Sequence, residues 1–108
     1  MAVDQPDKID IIGIDNSSGS VVLTISDHLD WSDTYQHQLI LQKKLNTYLA
    51  FVESGEITEQ YPNSSGRSVV LEVVFKYRPD AGGLKFLERA SQVIHSAGFE
   101  FRHRIFAE

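Results

Sequence analysis

Cysteine is missing from this 108-residue chain, and that alone removes several chemistries. No disulfide framework, thiolate nucleophile or cysteine-ligated zinc or iron–sulfur site can be built. Basic charge is scarce as well: 10 Lys and Arg stand against 15 Asp and Glu, a net charge of −5. Nonspecific attraction to nucleic acid or anionic lipid depends on neutralising phosphates with Lys and Arg, so no nucleic-acid partner is expected. Long apolar runs are absent too, and none approaches a membrane span. Met1 to Lys8 is polar, with Asp4, Pro6 and Asp7 where a signal peptide needs a basic start and an apolar stretch. A cytoplasmic protein with no membrane partner and no cofactor is the expectation.

What is present is ordinary for a folded protein: 42% hydrophobic and 23% charged residues. This length fits one domain with a modest core. Residues 1–7 read as a disordered tail, since nothing in them could be buried to offset the entropy of ordering, and residues 8–108 as a single α+β domain.

Ile9, Ile11, Ile12 and Ile14 form one short β-rich run and Val21 to Ile25 another, separated by the turn formers Asn16-Ser-Ser-Gly19. This predicts a hairpin with Ile14 opposite Val21. Strand alternation then puts Ile12, Ile14, Val21, Leu23 and Ile25 on one face and Ile11, Val22 and Thr24 on the other. From Ser32 to about Ser54 the apolar period becomes helical, through His37, Leu41, Leu45, Tyr48 and Val52, and Gly55 ends it.

Glu56 to Arg67 is ambiguous: a long loop, or a short strand over 57–61. A second Asn63-Ser-Ser-Gly66 precedes Val69 to Leu71, much as the first precedes Val21 to Leu23, which raises a duplicated strand–strand–helix unit. Val69 to Arg78 is the strongest strand pattern. Pro79 stops it, Asp80 caps a helix over 81–97, and Phe99 to Phe106 forms a last strand. The fold expected is a two-layer sandwich, a mixed four- to five-stranded sheet with two helices on one face.

Residues suited to chemistry crowd between Asp27 and His37. Asp27, His28, Asp30 and His37, with Asp33, could ligate a metal that activates water. The same composition also suits a helix start, with Asp30 or Ser32 as cap, Asp33 in the first turn and Trp31 packed over the entry. His37 and His103 both fall on the expected inner face and could form a buried acid–base pair. Lys76, Arg78, Arg102 and Arg104 could gather on the open face of the sheet. That face would also carry Val22, Thr24, Val70, Val74 and Phe106, an apolar area of the kind that marks a protein contact.

At Asp10-Ile-Ile-Gly-Ile-Asp15, Leu23-Thr-Ile-Ser-Asp-His-Leu-Asp-Trp31 and Leu45-Asn-Thr-Tyr-Leu49 the chain resembles a family of small bacterial proteins known only as a domain of unknown function. The likeness covers most of the chain after the tail. It implies a bacterial, cytoplasmic setting and brings no activity, cofactor or catalytic residue. The function expected is a small non-enzymatic protein-interaction domain, adaptor- or immunity-like and able to self-associate as a homo-oligomer. The alternative is a metal-dependent hydrolase built on Asp27, His28, Asp30 and His37.

Overall fold

Parallel strands need crossovers, and the alternation of strand and helix patterns supplies two of them. In the computed structural model, which describes residues 11–106, β1 (Ile11–Ile14) and β2 (Val21–Asp27) form a hairpin. Helix α1 (Thr34–Glu53) and a short α2 (Glu56–Gln60) then lead to β3 (Val69–Phe75), and α3 (Ala81–Ser96) leads to β4 (Glu100–Ile105). The expected tail over 1–7 lies outside the described residues. The sheet order is β1-β2-β3-β4, with the first pair antiparallel and the other two parallel.

The hairpin has the expected register: Ile14 lies opposite Val21 and Ile12 opposite Leu23. The turn closes on Asp15, whose carbonyl accepts from the Gly19 amide at 2.7 Å, and Gly19 takes a φ of 76° that side-chain-bearing residues avoid. Strand alternation sends Val21, Leu23, Ile25, Leu71, Val73 and Phe75 to one face. There they meet Leu41, Leu45, Tyr48 and Val52 of α1 and Leu87 and Ile94 of α3 in one hydrophobic core. Both long helices therefore cover the same face, as expected of a two-layer α+β fold.

Lys44 of α1 is fully buried. It stands three residues after Leu41 and four before Tyr48, so helical spacing alone puts it on the inner stripe. Its ammonium lies 5.6 Å from the Tyr48 ring centroid, a cation–π distance.

Several expectations are corrected. Residues 57–61 do not form a strand, and among the described residues the sheet has four strands and there are three α-helices. A five-residue helix is not stable alone; α2 is held by burial of Ile57, whose carbonyl accepts from Ser64 Oγ at 3.5 Å. Glu56 and Glu59 suit its N-terminal end. The strand expected to reach Arg78 stops at Phe75, and Lys76, Tyr77 and Arg78 are exposed.

The suspected duplication also dissolves, because β1 has no counterpart before β3. What recurs is a turn and a strand: Gly19 and Gly66 share a φ of 76°, and Val21, Val22 and Leu23 pair with Val69, Val70 and Leu71. Arg67 clamps the two turns together, donating from Nη1 to the Gly19 carbonyl at 2.9 Å and from Nε to the Asn63 carbonyl at 2.8 Å.

Candidate functional site

The carboxyl ends of parallel strands are where open α/β sheets commonly bind ligands, and the Asp27 to His37 turn lies at that end of β2. Asp27 is the last residue of the strand and points inward, because it continues the Val21, Leu23, Ile25 face. His37 sits in the first turn of α1, also inward. The two meet at 2.5 Å between Asp27 Oδ2 and His37 Nε2, both side chains essentially excluded from solvent.

The proton count of this pair follows from its contacts. His37 Nδ1 lies 2.9 Å from the Asp30 carbonyl oxygen, which can only accept, so Nδ1 carries a hydrogen. A bare Nε2 facing a bare carboxylate oxygen at 2.5 Å would set two acceptors against each other. A hydrogen therefore lies between the two atoms, shared in one buried hydrogen bond. The other Asp27 oxygen accepts from the Leu29 amide at 3.0 Å.

Trp31 closes the pair from above. Its indole stacks on the His37 ring with centroids 3.7 Å apart, approaches Phe75 at 5.9 Å, and donates from Nε1 to the Tyr77 carbonyl at 3.3 Å. Gly83 of α3 lets the indole lie that close, for a Cβ there would stand 2.8 Å from Trp31 Cζ3. Two strand ends and two helix starts are thus locked around one imidazole.

The four candidate metal ligands do not come together. Asp27 and His37 are engaged with each other, and the Asp30 carboxylate turns outward to accept from the Ser32 amide at 3.1 Å and hydroxyl at 2.7 Å. His28 is exposed at the recess of about 330 Å³ that it lines with Asp30, Asp33 and Tyr77. Among the described residues no group of three or more His, Asp or Glu side chains could hold a metal ion. Nor can His37 act as an outward general base, since both ring nitrogens are engaged.

The capping expectation is met by a different residue: Asp33, not Asp30 or Ser32, is the N-cap of α1, accepting from the Gln36 amide at 3.1 Å. Asp80 caps α3 as expected, accepting from the Gly83 amide at 2.8 Å, and also accepts a short hydrogen bond from the Thr34 hydroxyl. His37 and His103 do not pair. His103 is exposed on β4, with Phe75 and Phe101 as its ring neighbours.

Three titrating groups make stability fall with acid. Partial burial holds the His103 imidazole below the usual histidine range. The Ser32 hydroxyl and amide hold Asp30 below the ordinary carboxylate range, and the Thr34 hydroxyl with the Gly83 amide does the same for Asp80. At each group the unfolded chain takes up a proton before the folded one does, so stability rises with pH through the window between the two pKa values. Urea midpoints measured from pH 8 to pH 3 should therefore be level above about 6.5, decline as His103 protonates, and decline again below about 3.9. His103→Asn should remove the first decline and leave the second.

On the helix-free face, Glu72 lies in the middle of β3 and is buried to 8% exposure. Arg102 Nε donates to its Oε2 at 2.9 Å, and Arg104 Nε lies 3.6 Å from the same oxygen. Lys76 and Arg78 do not join this group, because the strand has ended before them. The central place of Glu72 comes from β3 being an inner strand, paired with β2 on one side and β4 on the other.

No curated protein and no solved structure matches the chain. No helix among the described residues is long and apolar enough to cross a membrane. A family model matches residues 1–107, and the chain accordingly belongs to a family of unknown function, DUF6572.

Proposed function

We propose that this protein is a non-enzymatic interaction domain that pairs with a second copy of itself through the helix-free face of its sheet. The observation that carries the reading is the composition of that face. Half-buried Val22 and Thr24 and buried Val70 and Val74 surround the Glu72–Arg102–Arg104 cluster, and the exposed apolar area lies at the margins, where Ile11 and Phe106 are 46% and 67% exposed. An inner-strand carboxylate with two arginines, framed by aliphatic side chains, resembles the centre and rim of an interface more than a solvated surface.

A second copy is favoured as occupant by self-complementarity. The face holds two acids, Glu72 and Glu100, and two arginines, so a two-fold related copy brings an equal mix of charge. Size sets the expected strength. Four strands about 4.8 Å apart and about 20 Å long offer roughly 400 Å² of flat face, about half of what each partner contributes to a standard stable interface. The dimer should therefore be weak and reversible. A bacterial, cytoplasmic setting and an adaptor- or immunity-like role belong to the same reading and rest on sequence alone.

Sedimentation velocity over about 1 to 500 μM tests it, with wild type expected to shift toward dimer in the upper part of that range. Ile11→Glu with Phe106→Glu changes only exposed positions and should leave the fold intact while weakening association at least about tenfold. A strictly monomeric wild type, or a double variant that dimerises as well as wild type, overturns the proposal.

A further inference from the structure

On the opposite side of the molecule, α1 and α3 run parallel, since each carries the chain back between parallel strands over the same face. Their first turns are drawn together. The Thr34 hydroxyl bonds Asp80, and Gly82 keeps α3 close, for a Cβ there would stand 3.1 Å from Thr34 Cγ2. Further along, the helices leave a groove of about 300 Å³ between them. It follows α1 from Gln38 to Leu49, a length of roughly 16 Å at the helical rise.

The groove has two chemistries. Its floor is apolar, formed by Leu45, Leu49, Phe86 and Ile94, and Val93 stands at its lip 60% exposed. Its rim carries the carboxamides of Gln38, Gln42 and Asn46 and the guanidinium of Arg89, and among the described residues no carboxylate lines it. In a chain of net charge −5, a lining whose sole charge is positive stands apart. Among the described residues none bonds or ion-pairs with the side chains of Arg89, Gln42 or Asn46, so their donors remain available to a ligand.

We propose that this groove binds a small amphipathic carboxylate, its apolar body on Leu45, Leu49, Phe86 and Ile94 and its carboxylate on Arg89 and the neighbouring amides. Volume places the ligand at the small end of the range that such sites accept. Burial of the apolar body supplies the affinity. The guanidinium, presenting paired donors to a planar anion, supplies orientation and charge preference. The inference goes beyond self-association and uses the opposite side of the molecule, so either can fail without the other.

Methyl and amide NMR titration of the full chain with octanoate, octanamide and octylammonium tests it. Octanoate should shift the methyls of Leu45, Leu49 and Ile94 and bind about fivefold more tightly than octanamide, the size expected for a partly exposed charge pair. Octylammonium should bind more weakly than either. Arg89→Gln, an exposed change that should not disturb folding, should bring octanoate down to the octanamide level. Equal binding of the three probes to wild type, shifts centred elsewhere, or a preference for octanoate that survives Arg89→Gln overturns the proposal.

Discussion

His37→Ala should destabilise the protein by about 3–5 kcal/mol, the cost of removing a buried, stacked ring and leaving the Asp27 carboxyl without its partner. Asp27 is 1% exposed, and the substitution also removes the ring on which the Trp31 indole stacks. Against a total stability of about 5–15 kcal/mol for a domain of this kind, such a loss would leave a sizeable unfolded fraction near physiological temperature. Asp27→Asn should behave very differently. Its Oδ1 can still accept from the Leu29 amide, and its amide group can donate to Nε2 of a neutral His37, so every hydrogen bond of the pair survives. A cost of about 1 kcal/mol or less is expected. Urea denaturation of both variants is decisive: if Asp27→Asn is as damaging as His37→Ala, the fold requires the Asp27 carboxyl itself and not merely a group that makes its hydrogen bonds.

Much of this arrangement was legible in the sequence, and the reasons differ from element to element. The hairpin register followed from alternation, because a slip of one residue would turn Val21, Leu23 and Ile25 away from the core. The start of α3 followed from Pro79 and Asp80, each with a local mechanism. The identity of the α1 cap did not follow, since Asp30, Ser32 and Asp33 are all competent acceptors, and backbone geometry chose among them. Residues 57–61 were left open between a loop and a strand because a five-residue segment has too few positions to separate a helical period from an alternating one. Asp27 and His37 stood out in the sequence as residues suited to chemistry, but their spacing did not say which role they have. A carboxylate and an imidazole ten residues apart suit a metal, a dyad or a structural pair alike; what decides is whether a ring nitrogen is left over, and that depends on where the Asp30 carbonyl points.

The position of Trp31 leads to the second large effect. Alanine in place of glycine inside a helix normally stabilises by about 1 kcal/mol, yet Gly83→Ala should destabilise this protein by about 2 kcal/mol. The added methyl would stand 2.8 and 2.9 Å from Trp31 Cζ3 and Cη2 and 3.1 Å from Pro79 Cβ, and overpacking of that kind outweighs the propensity gain. The indole cannot easily give way, being stacked on His37 and hydrogen-bonded to Tyr77. Trp31→Ala alone should cost about 3 kcal/mol through lost packing. In that background the clash with the ring is gone, so adding Gly83→Ala should cost nothing or recover part of the loss. The double-mutant cycle should thus show a coupling of about 2–3 kcal/mol. Strict additivity would mean that Gly83 is small for the sake of Pro79 rather than the indole, and that Trp31 does not join the start of α3 to the Asp27–His37 pair.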